Sequence, residues 1–266
     1  YALRDVTATV DIVPLIASSI MSKKLAAGAD AVVLDVKVGD GAFMKTLPDA
    51  RELGEAMLEL GRRAGRDVVC LLTDMDQPLG AAVGNALEIR EAIATLRGDG
   101  PPDFAELVLD ASARLLALSD LELSLEDARA RAEQAIADGT ATEAYARWIR
   151  AQGGDPAEDA LPAAPQVETV VAQAAGWVRR IGAVTVGVAA LELGAGRRAK
   201  EDAIDHSVGV VCIRKRGDRV TAGEPLAEIH ARDAASGAAA AEAVLGAYEL
   251  GDEPPPDTPL VLDVLG

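Results

Sequence analysis

Apolar residues recur at helical spacing near the start of the chain, where Asp11-Ile-Val-Pro14 leads into Leu15, Ile16, Ile20, Met21 and Leu25. This predicts a helix, with Pro14 suited to its first turn and Gly28 just past its end. The pattern then changes. Residues 30–37 form a nearly continuous apolar run after the glycine, as expected of a strand buried on both faces, and Gly39 and Gly41 turn the chain into a loop at its carboxyl end. A second helical stretch covers residues 48–64, with Leu53, Met57 and Leu60 on one face and Gly65 as its stop. Val68-Val-Cys-Leu-Leu72 reads as a second buried strand, ending in the polar loop Thr73-Asp-Met-Asp-Gln-Pro78. Helix, strand, loop, helix, strand and loop in that order predict an α/β fold with a mainly parallel sheet flanked by helices. Ligands of such sheets sit beyond the carboxyl ends of the strands, so both loops are candidate sites.

Residues 85–150 keep a helical pattern, broken at Gly98-Asp-Gly-Pro-Pro102 and Asp138-Gly-Thr140. No cluster of titratable residues stands out there. A polar, proline-containing connection over residues 153–165 is the best internal boundary. Short β-like runs follow at Gly176-Trp-Val-Arg-Arg-Ile181, Val208-Gly-Val-Val-Cys-Ile213 and Pro225-Leu-Ala-Glu-Ile-His230, with turns at Gly217-Asp218 and Ala222-Gly223. A helix over residues 234–250 and a last strand-like segment, Pro259-Leu-Val-Leu-Asp-Val264, complete an α+β unit. The expected organisation is therefore the remainder of a small helical lobe over residues 1–28, an α/β domain over 29–165 and a carboxyl-terminal α+β domain over 166–266.

Half of the 266 residues are apolar, enough for a full core, and the formal charge is −17. That balance argues against an extended nucleic-acid backbone as partner, which requires a surplus of Lys and Arg. A few cations in a cleft can still oppose the global sign and hold a small anion. The two cysteines, Cys70 and Cys212, sit inside apolar runs, the usual setting of buried free thiols in a reducing compartment. Apolar stretches are interrupted well short of the roughly 20 residues of a membrane span. A cytoplasmic protein is expected. The chain opens at Tyr1 directly in a dense polar motif, and it reads as a piece of something longer.

That motif holds the strongest candidate chemistry. Ser19 and Lys23 are four apart on the first helix, so both side chains share one face, and Arg4 lies in the segment before it. A hydroxyl, an ammonium and a guanidinium together form a fan of donors for a planar, carbonyl-bearing ligand. The plain alternative is an ordinary solvated helix face, with Arg4 paired to Asp5 or Asp11. Spacing does not choose between them, nor name a ligand. Asp35 and Lys37, at the end of the first strand, read as a pair holding the glycine loop or as groups acting on substrate. His206 and His230 lie far along the chain, without metal-type partners at familiar spacing, and read as structural.

Tyr1-Ala-Leu-Arg4-Asp-Val-Thr-Ala-Thr-Val-Asp11, Pro14-Leu-Ile and Ser19-Ile-Met-Ser-Lys23-Lys24 resemble the pyrimidine-binding segment of the thymidine and pyrimidine-nucleoside phosphorylases. The resemblance continues through Leu34-Asp-Val-Lys37-Val-Gly-Asp-Gly-Ala-Phe-Met44, Thr73-Asp-Met-Asp-Gln-Pro-Leu-Gly80, Val83-Gly-Asn-Ala-Leu-Glu88 and Leu193-Gly-Ala-Gly-Arg197. It implies that Arg4, Ser19 and Lys23 contact the base, that Tyr1 lines the site, and that Phe43 packs on the base with Val10 and Ile16 as further wall. Arg4 and Lys23 would stabilise the charge left on the departing pyrimidine. For Phe43 by itself, a place in the core is an equal alternative.

The resemblance also implies inorganic phosphate as co-substrate, a homodimer, and potassium held by the backbone carbonyls of Leu79 and Ala82 with the Glu91 carboxylate. Oxygen ligands suit a hard cation. An exposed Glu91 paired with Arg90 or Arg97 is the alternative. The family's base-handling histidine and its phosphate-binding segments would lie upstream of Tyr1, so the 266-residue chain is expected not to complete the reaction by itself. Two other functions fit less of the sequence: an anthranilate-type phosphoribosyltransferase, which needs a diphosphate loop, and a non-catalytic pyrimidine-binding protein.

Overall fold

The computed structural model describes residues 12–266. They pack into two compact units, one made of residues 12–75, Glu106–Glu133 and Pro259–Gly266, the other of Asp76–Ala105 and Gln134–Thr258.

In the first unit, α1 (Val13–Ala26) begins with Pro14 in its first turn and ends with Lys23 and Lys24 near its carboxyl terminus, where cations complement the helix dipole. It packs on α2 (Leu47–Arg63). Thr46 caps α2, its hydroxyl accepting from the Asp49 amide at 3.4 Å. Between them runs β1 (Ala31–Val38), parallel to β2 (Asp67–Asp74), in a register that sets Lys37 beside Thr73. Val32, Leu34, Val36 and Val38 of β1 join Leu53 and Met57 of α2 and Ala17 and Met21 of α1 in one core. Helix α2 lies close on β2 because Gly54 and Gly61 offer no Cβ: one on Gly61 would come within 2.2 Å of the Val68 side chain.

The sheet departs from the mainly parallel expectation. Its third strand, β10 (Val261–Leu265), runs antiparallel to β2, and apart from a single Val38–Met44 bridge β1 with β2 is the one parallel pair among the described residues. The final strand therefore belongs beside β2, not in the carboxyl-terminal α+β unit where sequence order had placed it. Hydrogen bonding explains this choice, since β10 satisfies a strand edge of β2 that would otherwise leave buried backbone groups unpaired. Helices α4 (Pro102–Ala117) and α5 (Leu125–Ala137) interrupt the long helical stretch at residues 118–124.

The second unit opens with β3 (Ala82–Gly84) and α3 (Asn85–Leu96), and includes α6 (Thr140–Ala151). The segment from β4 (Gln166–Val171) onward holds β5 (Gly176–Ile181), α7 (Ala183–Ala190), β6 (Gly209–Cys212), β7 (Arg219–Val220), β8 (Pro225–Ala231), α8 (Ala234–Ala247) and β9 (Tyr248–Gly251). Two antiparallel sheets result, ordered β3-β6-β8-β4 and β7-β5-β9. Their core joins Val178, Ile181, Val186, Val210, Leu226, Ile229 and Val244. Helix α8 stops at Ala247, short of residue 250, because Tyr248 turns into β9 and sets its hydroxyl 3.0 Å from the carbonyls of Arg214 and Leu226. The connection over residues 153–165 lies inside this unit, tied to α3 by Arg90 donating to the carbonyls of Leu161 and Pro162 and by Arg97 paired with Glu158. Among the described residues no helix is long and apolar enough to cross a membrane.

Candidate functional site

A cavity of about 270 Å³ opens in the first unit, lined by Ile16 and Ile20 of α1, Leu53 and Met57 of α2, residues 34–37 of β1 and residues 41–44 of the loop after it. The loop folds against the end of β2, with the Gly41 amide donating to the Met75 carbonyl and the Met75 amide to that of Val38. Phe43 is 69% exposed at this loop, which rules out the core role considered for it. An aromatic ring left in solvent beside a cavity is a ready surface for a planar ligand.

Ile16, Ser19, Ile20 and Lys23 recur at three- and four-residue spacing and so share one stripe of α1. Ile16 and Ile20 line the cavity, while Ser19 is half-buried and Lys23 exposed on the same stripe. The helix thus places the two donors next to the cavity wall. Tyr1, Arg4 and Val10 fall outside the described residues.

Polar chemistry in the lining comes from β1. Asp35 and Lys37 are two apart and share a face, and Thr73 stands beside Lys37 on the neighbouring strand. Lys37 Nζ lies 2.6 Å from Asp35 Oδ2 and donates to Thr73 Oγ1 at 3.1 Å, while the Thr73 hydroxyl donates to Asp35 Oδ1 at 2.5 Å. Asp35 and Lys37, read from the sequence as holding the glycine loop or acting on substrate, close a ring of three hydrogen bonds with Thr73. Thr73 is wholly buried, so its partner geometry is fixed from behind.

The second candidate site lies in the second unit, around residues 78–82. Glu91 is not an exposed carboxylate paired with arginine. Its Oε2 accepts from the amides of Ala81 and Ala82 at 2.8 and 2.9 Å, and its other oxygen presses on Gly80, where a Cβ would come within 2.1 Å of it. Burial raises its pKa above the usual carboxylate value, with the nearby Asp103 charge adding to this and the two amide bonds opposing it. Lys215 sends its ammonium to the carbonyls of Pro78 and Gly80 and lies 3.1 Å from Asp103. The loop therefore presents backbone oxygens to a monovalent cation, here a tethered one.

Neither histidine is among the residues lining the cavity of the first unit. His230 is half-buried, 3.7 Å from Glu228, and burial holds its pKa below the usual imidazole value. Both cysteines are buried, and burial pushes the Cys70 thiol up to about 11, so neither is a nucleophile at neutral pH. Sequence reasoning gives Thr73 no role beyond opening a candidate loop, and Lys215 none. Thr73 opens one of the resembling motifs and could have been found there. Lys215 lies 135 residues from the carbonyl of Gly80 it binds, and no local signal marks it.

Residues 1–142 match the family model "Glycosyl transferase family, a/b domain", and residues 177–251 match "Pyrimidine nucleoside phosphorylase C-terminal domain". Over 234 residues the chain is 52% identical to the pyrimidine-nucleoside phosphorylases of Geobacillus stearothermophilus and Staphylococcus haemolyticus, covering 86% of this chain and 54% of theirs. The corresponding enzyme of Bacillus subtilis is 51% identical over 235 residues. The chain spans about half the length of the curated relatives it matches.

Proposed function

Because this chain belongs to the pyrimidine-nucleoside phosphorylase family, we propose that the protein it forms cleaves pyrimidine nucleosides with inorganic phosphate, thymidine and phosphate giving thymine and 2-deoxyribose 1-phosphate. The observation that carries this reading is the stripe of α1, where Ser19 and Lys23 flank two residues of the cavity wall with exposed Phe43 at the same cavity. A planar base between Phe43 and the isoleucines would meet its donors at one edge.

A phosphate oxygen forms the new bond to the pentose C1′ as the glycosidic bond breaks, and the bonding pair stays with the base. Lys23 and Arg4 would meet the charge developing on the pyrimidine, a contact stronger in the transition state than in the bound nucleoside. Ser19 would orient the ring. Tyr1 would complete the wall, and residues 1–28 would form part of a helical base-binding lobe. We assign potassium to the carbonyls of Leu79 and Ala82 with Glu91, hard oxygen donors that suit a monovalent cation. Such an ion would supply fixed positive charge to the loop. A homodimer in the cytoplasm completes the proposal.

Calorimetry of the chain with thymine and uracil tests the base site. Binding that is lost in Arg4→Ala and in Lys23→Ala is the expected result, and indifference to both substitutions sinks the reading. In the whole protein, Lys23→Met is expected to lower kcat/KM for thymidine by about 100-fold or more, the scale seen when a donor to developing charge is removed.

A further inference from the structure

Among the described residues lining the cavity of the first unit Lys37 is the one cation, and its surroundings are unusual for a surface lysine. The ammonium has three N–H groups to place. One faces Asp35 at 2.6 Å and one is given to Thr73 at 3.1 Å. Among the described residues no acceptor takes the third. Asp35 and Thr73 are themselves joined at 2.5 Å, so the two acceptors form a rigid seat. The result is a cation with its long side chain immobilised in advance, which removes most of the entropy a lysine loses when it binds a ligand. Its position adds to the argument. The seat lies at the carboxyl end of the parallel strand pair, where ligands of such sheets bind, and borders the same cavity as Phe43.

We propose that Lys37 is a substrate-contacting residue whose third N–H binds a ring carbonyl oxygen of the pyrimidine, with Asp35 and Thr73 as the positioning residues that aim it. This rests on the proposed base site and adds to its cations, Arg4 and Lys23, one from a strand that borders the same cavity. The Asp35–Lys37 pair is partly exposed, Lys37 at 26% and Asp35 at 32%, so by itself it adds little to stability.

Thymine titrations of the chain and of its Lys37→Met, Thr73→Val, Thr73→Ser, Lys23→Met and Lys45→Met variants test this, with far-UV circular dichroism checking that each is folded. Lys45→Met is the control, since Lys45 donates to the Asp40 carbonyl on the same loop and lies outside the cavity lining. Lys37→Met is expected to weaken thymine about tenfold, as loss of one charged hydrogen bond implies. Thr73→Val should show part of that loss, with Thr73→Ser restoring it. The decisive comparison uses two thymine analogues, each lacking one ring carbonyl oxygen. The Lys37→Met loss should vanish for one analogue and persist for the other, which a general structural defect cannot produce. Thymine affinity of Lys37→Met within about twofold of the parent, or an equal loss on thymine and both analogues, overturns the proposal. If Lys23→Met loses binding while Lys37→Met does not, the base site stands and this inference alone fails. If the parent chain binds no thymine, the base site itself is wrong and Lys37 falls with it.

Discussion

Gly80 and Glu91 share a space that one extra carbon would close. Gly80 has φ +65°, in the left-handed region, and a Cβ there would overlap the Glu91 carboxylate. Gly80→Ala is therefore expected to destabilise the second unit by about 1–2 kcal/mol from backbone strain before any displacement of Glu91, measurable as a lower urea midpoint. The carboxylate has its own signature. Burial raises the proton affinity of Glu91 in the folded chain, so above its ordinary value the folded state holds more proton than the unfolded state. Stability from this group then falls as pH rises through the window between the unfolded and folded values. Urea midpoints of the parent and Glu91→Gln across that window should converge at the acid end and separate toward neutral pH, with the parent falling relative to the variant. Parallel curves would show that Glu91 is not held away from water.

At the scale of elements, α2 illustrates how one helix serves several neighbours. Thr46 fixes its start, and Thr46→Ala should cost about 1 kcal/mol, the usual worth of such a cap. Its glycine face fixes its distance from β2. Gly61→Ala should be worse, about 1–3 kcal/mol, because the added methyl meets Val68 within the core and the helix must back away. Arg51 of α2 also pairs with Asp263 of β10 at 2.5 Å, so the same helix anchors the last strand. Removal of residues 259–266 would expose the edge of β2 over Cys70, Leu71 and Leu72, all buried. An uncovered apolar edge pairs with other chains, and light scattering on the shortened chain is expected to report aggregation.

For the whole molecule the dominant quantity is charge. A net −17 makes like-charge repulsion an opponent of the folded state, and repulsion between surface carboxylates is screened by salt. Raising the ionic strength from about 0.01 to about 0.15 M should raise Tm, and no rise would mean that local pairs already neutralise the surface. Such pairs exist, among them Arg129 bridging Glu106 and Glu133 and Arg62 and Arg63 sharing Glu59, but each is at least partly exposed.

Local pattern carried far. Helical spacing placed α1 and α2, and the apolar runs at residues 30–37 and 68–72 placed β1 and β2, because period and punctuation are properties of neighbouring residues. That Ser19 and Lys23 share one face was equally legible, since helix geometry converts spacing into a shared face. The strands β3 and β7 escaped notice, being too brief for periodicity, and β4 because nearly all of its residues are exposed; α7 escaped because Ala183-Val-Thr-Val-Gly-Val-Ala-Ala190 carries β-branched residues that favour strand. The direction of the last strand, the seat of Lys37 on Thr73 and the reach of Lys215 to Pro78 and Gly80 were decided by tertiary structure. Each joins segments distant in sequence, and which unpaired backbone edge or ammonium finds which partner depends on burial and hydrogen bonding that no local pattern encodes.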